Sequence, residues 1–81
     1  MSEDSKTPKQ PPSVGRVIHV VHSGMILAAT VCMVHSDICV NAMVIDQQGN
    51  PFGKTSITYD EARTMHNTWS YPPFVPPAKK D

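Results

Sequence analysis

No stretch of this sequence stays apolar for long enough to cross a bilayer as a helix. The longest apolar run, residues 25–34, is about half the ~20 residues such a span needs, and Thr30 and Cys32 interrupt it. The opening Met1-Ser2-Glu3-Asp4-Ser5-Lys6 has no basic start leading into an apolar segment, so no secretory leader is read there. No membrane partner is expected. Charge of either sign is also scarce. Seven Lys and Arg balance seven Asp and Glu, and Lys6, Lys9, Lys79 and Lys80 sit near the ends. The middle keeps only Arg16, Lys54 and Arg63. A phosphate-backbone binder needs a concentrated basic face, so nucleic acid is disfavoured as a partner.

Metal-ligand spacing is missing too. His19, His22, His35, His66, Cys32, Cys39 and Asp37 are the candidate donors, yet no Cys-x2-Cys or His-x3-His pair occurs. His19 and His22 would point to opposite faces of a strand. No metal or other cofactor is expected. Catalysis fares no better. Neither cysteine has a histidine on its face of the proposed hairpin, and no Gly-rich oxyanion turn is present. The carboxylates Asp60 and Glu61 adjoin at a helix-start pattern, where capping is the simpler role. The expectation is a protein without enzymatic activity and without catalytic residues.

What the chain does have is alternation. Residues 14–21, 25–35, 38–46, 52–59 and 69–71 read as strands, rich in Val, Ile, Thr and aromatics and separated by turn signals. Ser23-Gly24 and the stretch from Asp46 to Pro51 supply two of those turns, and Asp60 is placed to cap one helical turn over 60–65. Residues 1–13 and 74–81 are proline-rich and polar apart from Phe74-Val75, a composition that stays disordered. The division is thus a disordered tail over 1–13, one domain over 14–73 and a C-terminal tail over 74–81. The fold class is all-β, a small antiparallel SH3-like barrel, partly closed, with flexible proline-rich tails.

A turn at Ser36-Asp37 fixes the register of the central hairpin, with Val31 opposite Ala42. Leu27, Ala29, Val31 and Met33 then share a core face with Ile38, Val40, Ala42 and Val44. Cys32 falls opposite Asn41 and Cys39 opposite Val34. The two cysteines become diagonal neighbours with Cα atoms about 7–8 Å apart, beyond the usual disulfide span, and are expected to be reduced. The second face of the hairpin is also apolar, whereas a water-facing sheet surface should be polar. Ile26, Ala28, Val34, Met43 and Ile45 are therefore the expected contact surface of a homo-oligomer. About 60 ordered residues make a marginal core, which points the same way.

His19, Tyr59, Trp69 and Tyr71 give four ring-bearing residues to a small module, and Arg16, beside Gly15 on the first strand, is the candidate anion contact. Rings gathered on one barrel face can stack a base or cup a proline-rich peptide. A core role is the competing explanation for Trp69, which buries more area than any other side chain here. These five residues form the candidate ligand site.

Two short segments frame the domain: Val14-Gly15-Arg16-Val17-Ile18-His19 and Thr68-Trp69-Ser70-Tyr71-Pro72-Pro73. In them the chain resembles a family of short tailed-bacteriophage proteins. Those open Val-Gly-Arg, two β-branched residues and His, and close Thr-Trp, one residue, an aromatic and Pro-Pro. Ser36-Asp37-Ile38-Cys39-Val40-Asn41 and Thr55-Ser56-Ile57 look like the family's middle segments. The likeness covers residues 14–73, departing in the short connection His22-Ser23-Gly24 and in Tyr71, where a second Trp is common. It implies a phage source and a compact β fold, and it carries no catalytic residues. The expected function is that of a small phage accessory protein acting by binding in the host cytoplasm. It would sequester a small nucleotide-like ligand or engage a host protein in counter-defence. The alternative is a virion component, a capsid decoration or tail accessory protein.

Overall fold

A computed structural model of the chain describes residues 8–73. Five strands run in order: β1 (Val17–His22), β2 (Met25–Val34), β3 (Cys39–Ile45), β4 (Pro51–Tyr59) and β5 (Thr68–Ser70). Each pairs with the next, and β5 returns to β1, so the sheet closes into a barrel. All pairings are antiparallel except that of β4 with β5. The small all-β barrel expected from the alternation is the observed architecture, and its closure is complete rather than partial. The expected tails over 1–7 and 74–81, Phe74-Val75 included, lie outside the described residues.

Ser23 and Gly24 join β1 to β2 with φ values of 51° and 80°. Positive φ at both central residues gives the primed turn whose twist matches that of the flanking strands. The central hairpin then runs in the expected register, with Ala28, Ala29, Thr30 and Val31 opposite Ile45, Val44, Met43 and Ala42. Leu27, Ala29, Val31, Val40, Ala42 and Val44 turn inward and join Ile18, Val20, Ile57 and Trp69 in one buried core.

Beyond Val31 the register shifts, and here the expectation fails. Cys32 forms a bulge, so Met33 pairs with Asn41 and Val34 with Val40. One inserted residue exchanges the faces of everything that follows it. Met33 and Ile38, expected in the core, are 50% and 37% exposed, while Val34 packs against the core. Cys32 does not face Asn41, and Cys39 stands beside Thr58 of β4 rather than Val34. Both cysteines are free, Cys32 exposed and Cys39 half-buried.

A second irregularity lies between β3 and β4, where the register shifts from Val40–Ile57 to Ala42–Lys54. Ser56 takes up the extra length at φ 55°. Asn41 stands across from it, and its side-chain oxygen accepts the freed Ser56 amide at 2.9 Å. The expected helical turn over 60–65 is absent. Asp60 does cap that stretch, accepting the amides of Ala62, Thr64 and Met65 at 3.2, 3.2 and 3.3 Å. The chain nevertheless turns at Arg63, whose φ of 62° ends any helical path. The expected first strand over 14–21 starts later, at Val17, although Gly15 and Arg16 still bond Val31 at 2.8 and 2.9 Å.

Candidate functional site

Trp69 is the centre of the aromatic group and is 0% exposed. Its place in β5, paired with Val20 on one side and Tyr59 on the other, directs the indole into the barrel. The ring N–H crosses to the β2–β3 turn and donates to the Ile38 carbonyl at 3.1 Å. Trp69 is therefore a core residue with its polar atom satisfied, not a surface for a ligand. Its neighbours are more exposed. Tyr59 and Tyr71 meet the indole edge-on, with ring centroids at 5.0 and 5.2 Å. The Arg16 guanidinium covers the Tyr71 ring at 5.3 Å from its centroid. The structure thus brings together four of the five expected site residues as one stack, Tyr59, Trp69, Tyr71 and Arg16.

His19 stands apart from that stack. It lies on the outer surface of β1, opposite Ser70 of β5 and Ala28 of β2. Arg63, which the sequence did not single out, links it to the group. Its guanidinium donates to the Tyr71 carbonyl at 3.3 Å and meets His19 Nδ1 at 3.0 Å. The left-handed backbone at Arg63 brings the side chain back over β5, and no motif announces such a conformation at a non-glycine residue. Burial first, and the Arg63 cation second, hold His19 below its ordinary pKa. Burial pushes both tyrosines up, Tyr59 further through Glu61 and Asp60, so each phenol keeps its proton at neutral pH. Tyr71 uses that proton, donating to the Pro11 carbonyl at 3.1 Å.

Residues 8–13, expected in the disordered tail, are thereby part of the site. Pro12 is buried, Gln10 accepts from Arg16 at 2.7 Å, and Ser13 accepts the Arg16 amide at 3.1 Å. The polar composition of this segment concealed its docking, because the partner ring lies 60 residues further on.

The expected oligomer surface is on the outside of β1, β2 and β3. Two rows cross it: Val17, Thr30 and Met43, then His19, Ala28 and Ile45. Val17 and Met43 are 57% and 41% exposed, and Ile26 and Ala28 are exposed beside them. Val17 was missed because its strand looked apolar on both sides. Val34 leaves the set, since the bulge turns it toward the core.

A second cluster was not foreseen. The His22 ring lies 5.2 Å from Phe52 and 5.1 Å from His66, centroid to centroid, and Lys54 meets its Nδ1 at 3.2 Å. His66 Nδ1 accepts the Ser23 amide at 3.0 Å. Both imidazoles thus have Nδ1 engaged, which leaves one further ring nitrogen on each. Among the described residues no three His, Cys, Asp or Glu side chains converge as metal donors. Chemically, the barrel offers hydrogen-bond donors and ring faces at Tyr71 and Arg16, and apolar side chains around Met43. Comparison of the chain with protein-family models, with curated proteins and with solved structures finds no match.

Proposed function

We propose that this chain is a non-enzymatic binding module, a small phage accessory protein that engages a host protein or sequesters a small ligand. The observation that carries the reading is the split between a finished interior and an unfinished exterior. Ten side chains, Trp69 among them, close the core within one chain. Outside it, Val17, Ile26 and Met43 remain exposed on one sheet surface. An exposed apolar stripe on a closed barrel adds nothing to folding, and association is its physical use. A two-fold homo-oligomer through that stripe is part of the proposal. The resemblance of residues 14–19 and 68–73 to phage proteins supports the source and the host cytoplasm as the place of action.

Mass spectrometry of purified virions, with infected-cell lysate in parallel, is the deciding experiment. The proposal expects the protein in the lysate, in complex with a host component that a Met43→Lys variant fails to hold. Stoichiometric recovery from virions would instead make it a capsid or tail component.

A further inference from the structure

We infer that the Tyr71 face of the barrel is a surface for proline-rich segments, filled in cis by the chain's own residues 8–12 and open to exchange. The inference rests on the binding-module reading above and gives that module a ligand class.

The argument starts with what residues 8–12, Pro8-Lys9-Gln10-Pro11-Pro12, can and cannot do. Three of the five lack an amide proton and have φ fixed near the polyproline II value, so the segment cannot join a sheet by donating. With so few amide protons of its own, the segment leaves its carbonyls to donors from elsewhere. A surface that suits it must therefore present donors and flat apolar rings, and few acceptors. The Tyr71 face has that chemistry. The phenol keeps its proton and donates to Pro11. The Arg16 guanidinium lies over the same ring and donates to the side chain of Gln10. Pro12 is buried beside them.

The same contacts explain why the occupant can leave. Among the described residues, no backbone–backbone bond ties residues 8–12 to the barrel; the first such tie is the Gly15 amide to the Val31 carbonyl. The strap is held by side chains alone. It is also pre-attached, so it competes at an effective concentration that a free peptide must overcome. The two side-chain bonds define a preference as well. An acceptor side chain should precede the proline whose carbonyl Tyr71 binds, and a carboxylate there should outdo the amide of Gln10 because the bond to Arg16 becomes charged on both sides.

The test uses the full chain and a synthetic peptide with the sequence of residues 6–14, Lys-Thr-Pro-Lys-Gln-Pro-Pro-Ser-Val. Titration followed by amide resonances should move Gly15, Arg16, Ser70 and Tyr71. A Gln10→Gly/Pro11→Gly chain, its strap loosened, should bind the peptide about 10-fold tighter than the unaltered chain. Tyr71→Phe in that background should lower the affinity about 5-fold, with an unchanged melting temperature. A peptide with Glu in place of Gln should bind more tightly than the original. Equal affinity of loosened and unaltered chains, or full affinity after Tyr71→Phe, would overturn the inference. Should the loosened chain fail to fold, the unaltered chain still decides: excess peptide that moves none of those four resonances refutes the assignment. A host protein held through Val17 and Met43 while Tyr71 stays unmoved would leave the wider reading standing and sink this one.

Discussion

The Oδ1 of Asn41 accepts the amide of Ser56 at 2.9 Å, which places one side chain opposite the bulge that bends β4. The same oxygen meets His35 Nε2 at 2.9 Å, and the Asn67 side-chain Nδ2 donates to the Ser56 carbonyl at 3.4 Å. The bulge is therefore hydrogen-bonded on both backbone atoms of Ser56. Its left-handed φ, unfavourable for serine, is held in place by these two asparagines.

Removing the acceptor should expose that cost. Asn41→Leu loses both bonds to Oδ1 and should destabilise the barrel by about 1–2 kcal/mol. In a domain this small the melting temperature should fall by roughly 4–8 °C for each kcal/mol. Asn41→Asp keeps an acceptor toward Ser56 and should retain most of the stability. Calorimetry on the two variants decides; equal loss in both would show that the side-chain oxygen does not hold the bulge.

Faces on the two sides of β2 should respond differently to charge. Val31 is buried opposite Ala42, and Thr30 lies on the outer surface opposite Met43. Val31→Asp places an unpaired carboxylate in the core and should remove several kcal/mol, about the whole stability of so small a domain. Thr30→Asp should leave the fold intact and weaken self-association. Circular dichroism and size-exclusion chromatography check both, and comparable unfolding of the two variants would contradict the face assignment.

The thiols give a sharp readout of how differently the two cysteines are buried. Cys32 is exposed and its sulfur reaches only the Thr30 carbonyl, at 3.6 Å, whereas Cys39 is half-buried between β2 and β4. Native protein should take up one equivalent of a thiol reagent fast and a second slowly, and denatured protein should take up both at once. Equal rates in the native state would count against this difference in burial.

Acid should loosen the fold in two stages. Burial, then Lys54 and His66, hold His22 below its ordinary pKa of 6.5, and burial with Arg63 does the same for His19. Near pH 6 the unfolded chain therefore binds more protons than the folded one, and stability falls as pH drops through 6.5 toward the lower folded values. The carboxylates act later. Backbone amides hold Asp46 and Asp60 below the ordinary value of 3.8, so their contribution persists above that pH and is lost as pH falls further. Melting temperatures from pH 8 to pH 3 should show both declines, and His22→Gln should flatten the first. A curve that rises between pH 7 and pH 5 would reverse the assignment for His22.

Much of this architecture was legible because alternation is a local signal. Strand positions, the Val31–Ala42 register and a core built from alternate residues of β2 and β3 follow from period two and a turn. The bulges were not legible, since a single inserted residue leaves composition and alternation almost unchanged. Met33 was misplaced for that reason, and Ile38 because it falls in the turn before β3 rather than in the strand. At the site, Tyr59, Trp69 and Tyr71 stood out as a sparse residue type gathered near one end of the chain, and Arg16 as one of the few cations of the middle. Arg63, Gln10 and Pro11 did not, because their role arises from a left-handed turn and from a contact between the two ends of the domain.

Self-association should follow from the outer surface of β1 to β3. Val17, Ile26 and Met43 are exposed there with Ala28 and Ile45 between them, and formal net charge is zero, so no long-range repulsion keeps copies apart. A two-fold axis through this stripe would set Met43 near its own copy and bury apolar atoms from both subunits. The stripe is short, which puts the interface at the small end of stable complexes and the dissociation constant at about the micromolar level. Sedimentation velocity from about 1 to 100 μM should span the transition at such an affinity. Met43→Lys should shift it to higher concentration, since each subunit would then bring a like charge to the axis. Val34→Ala should act on stability instead, because Val34 packs against the core. A monomer of 8.9 kDa across the whole range would remove the dimer from the proposal and leave the stripe to a different partner.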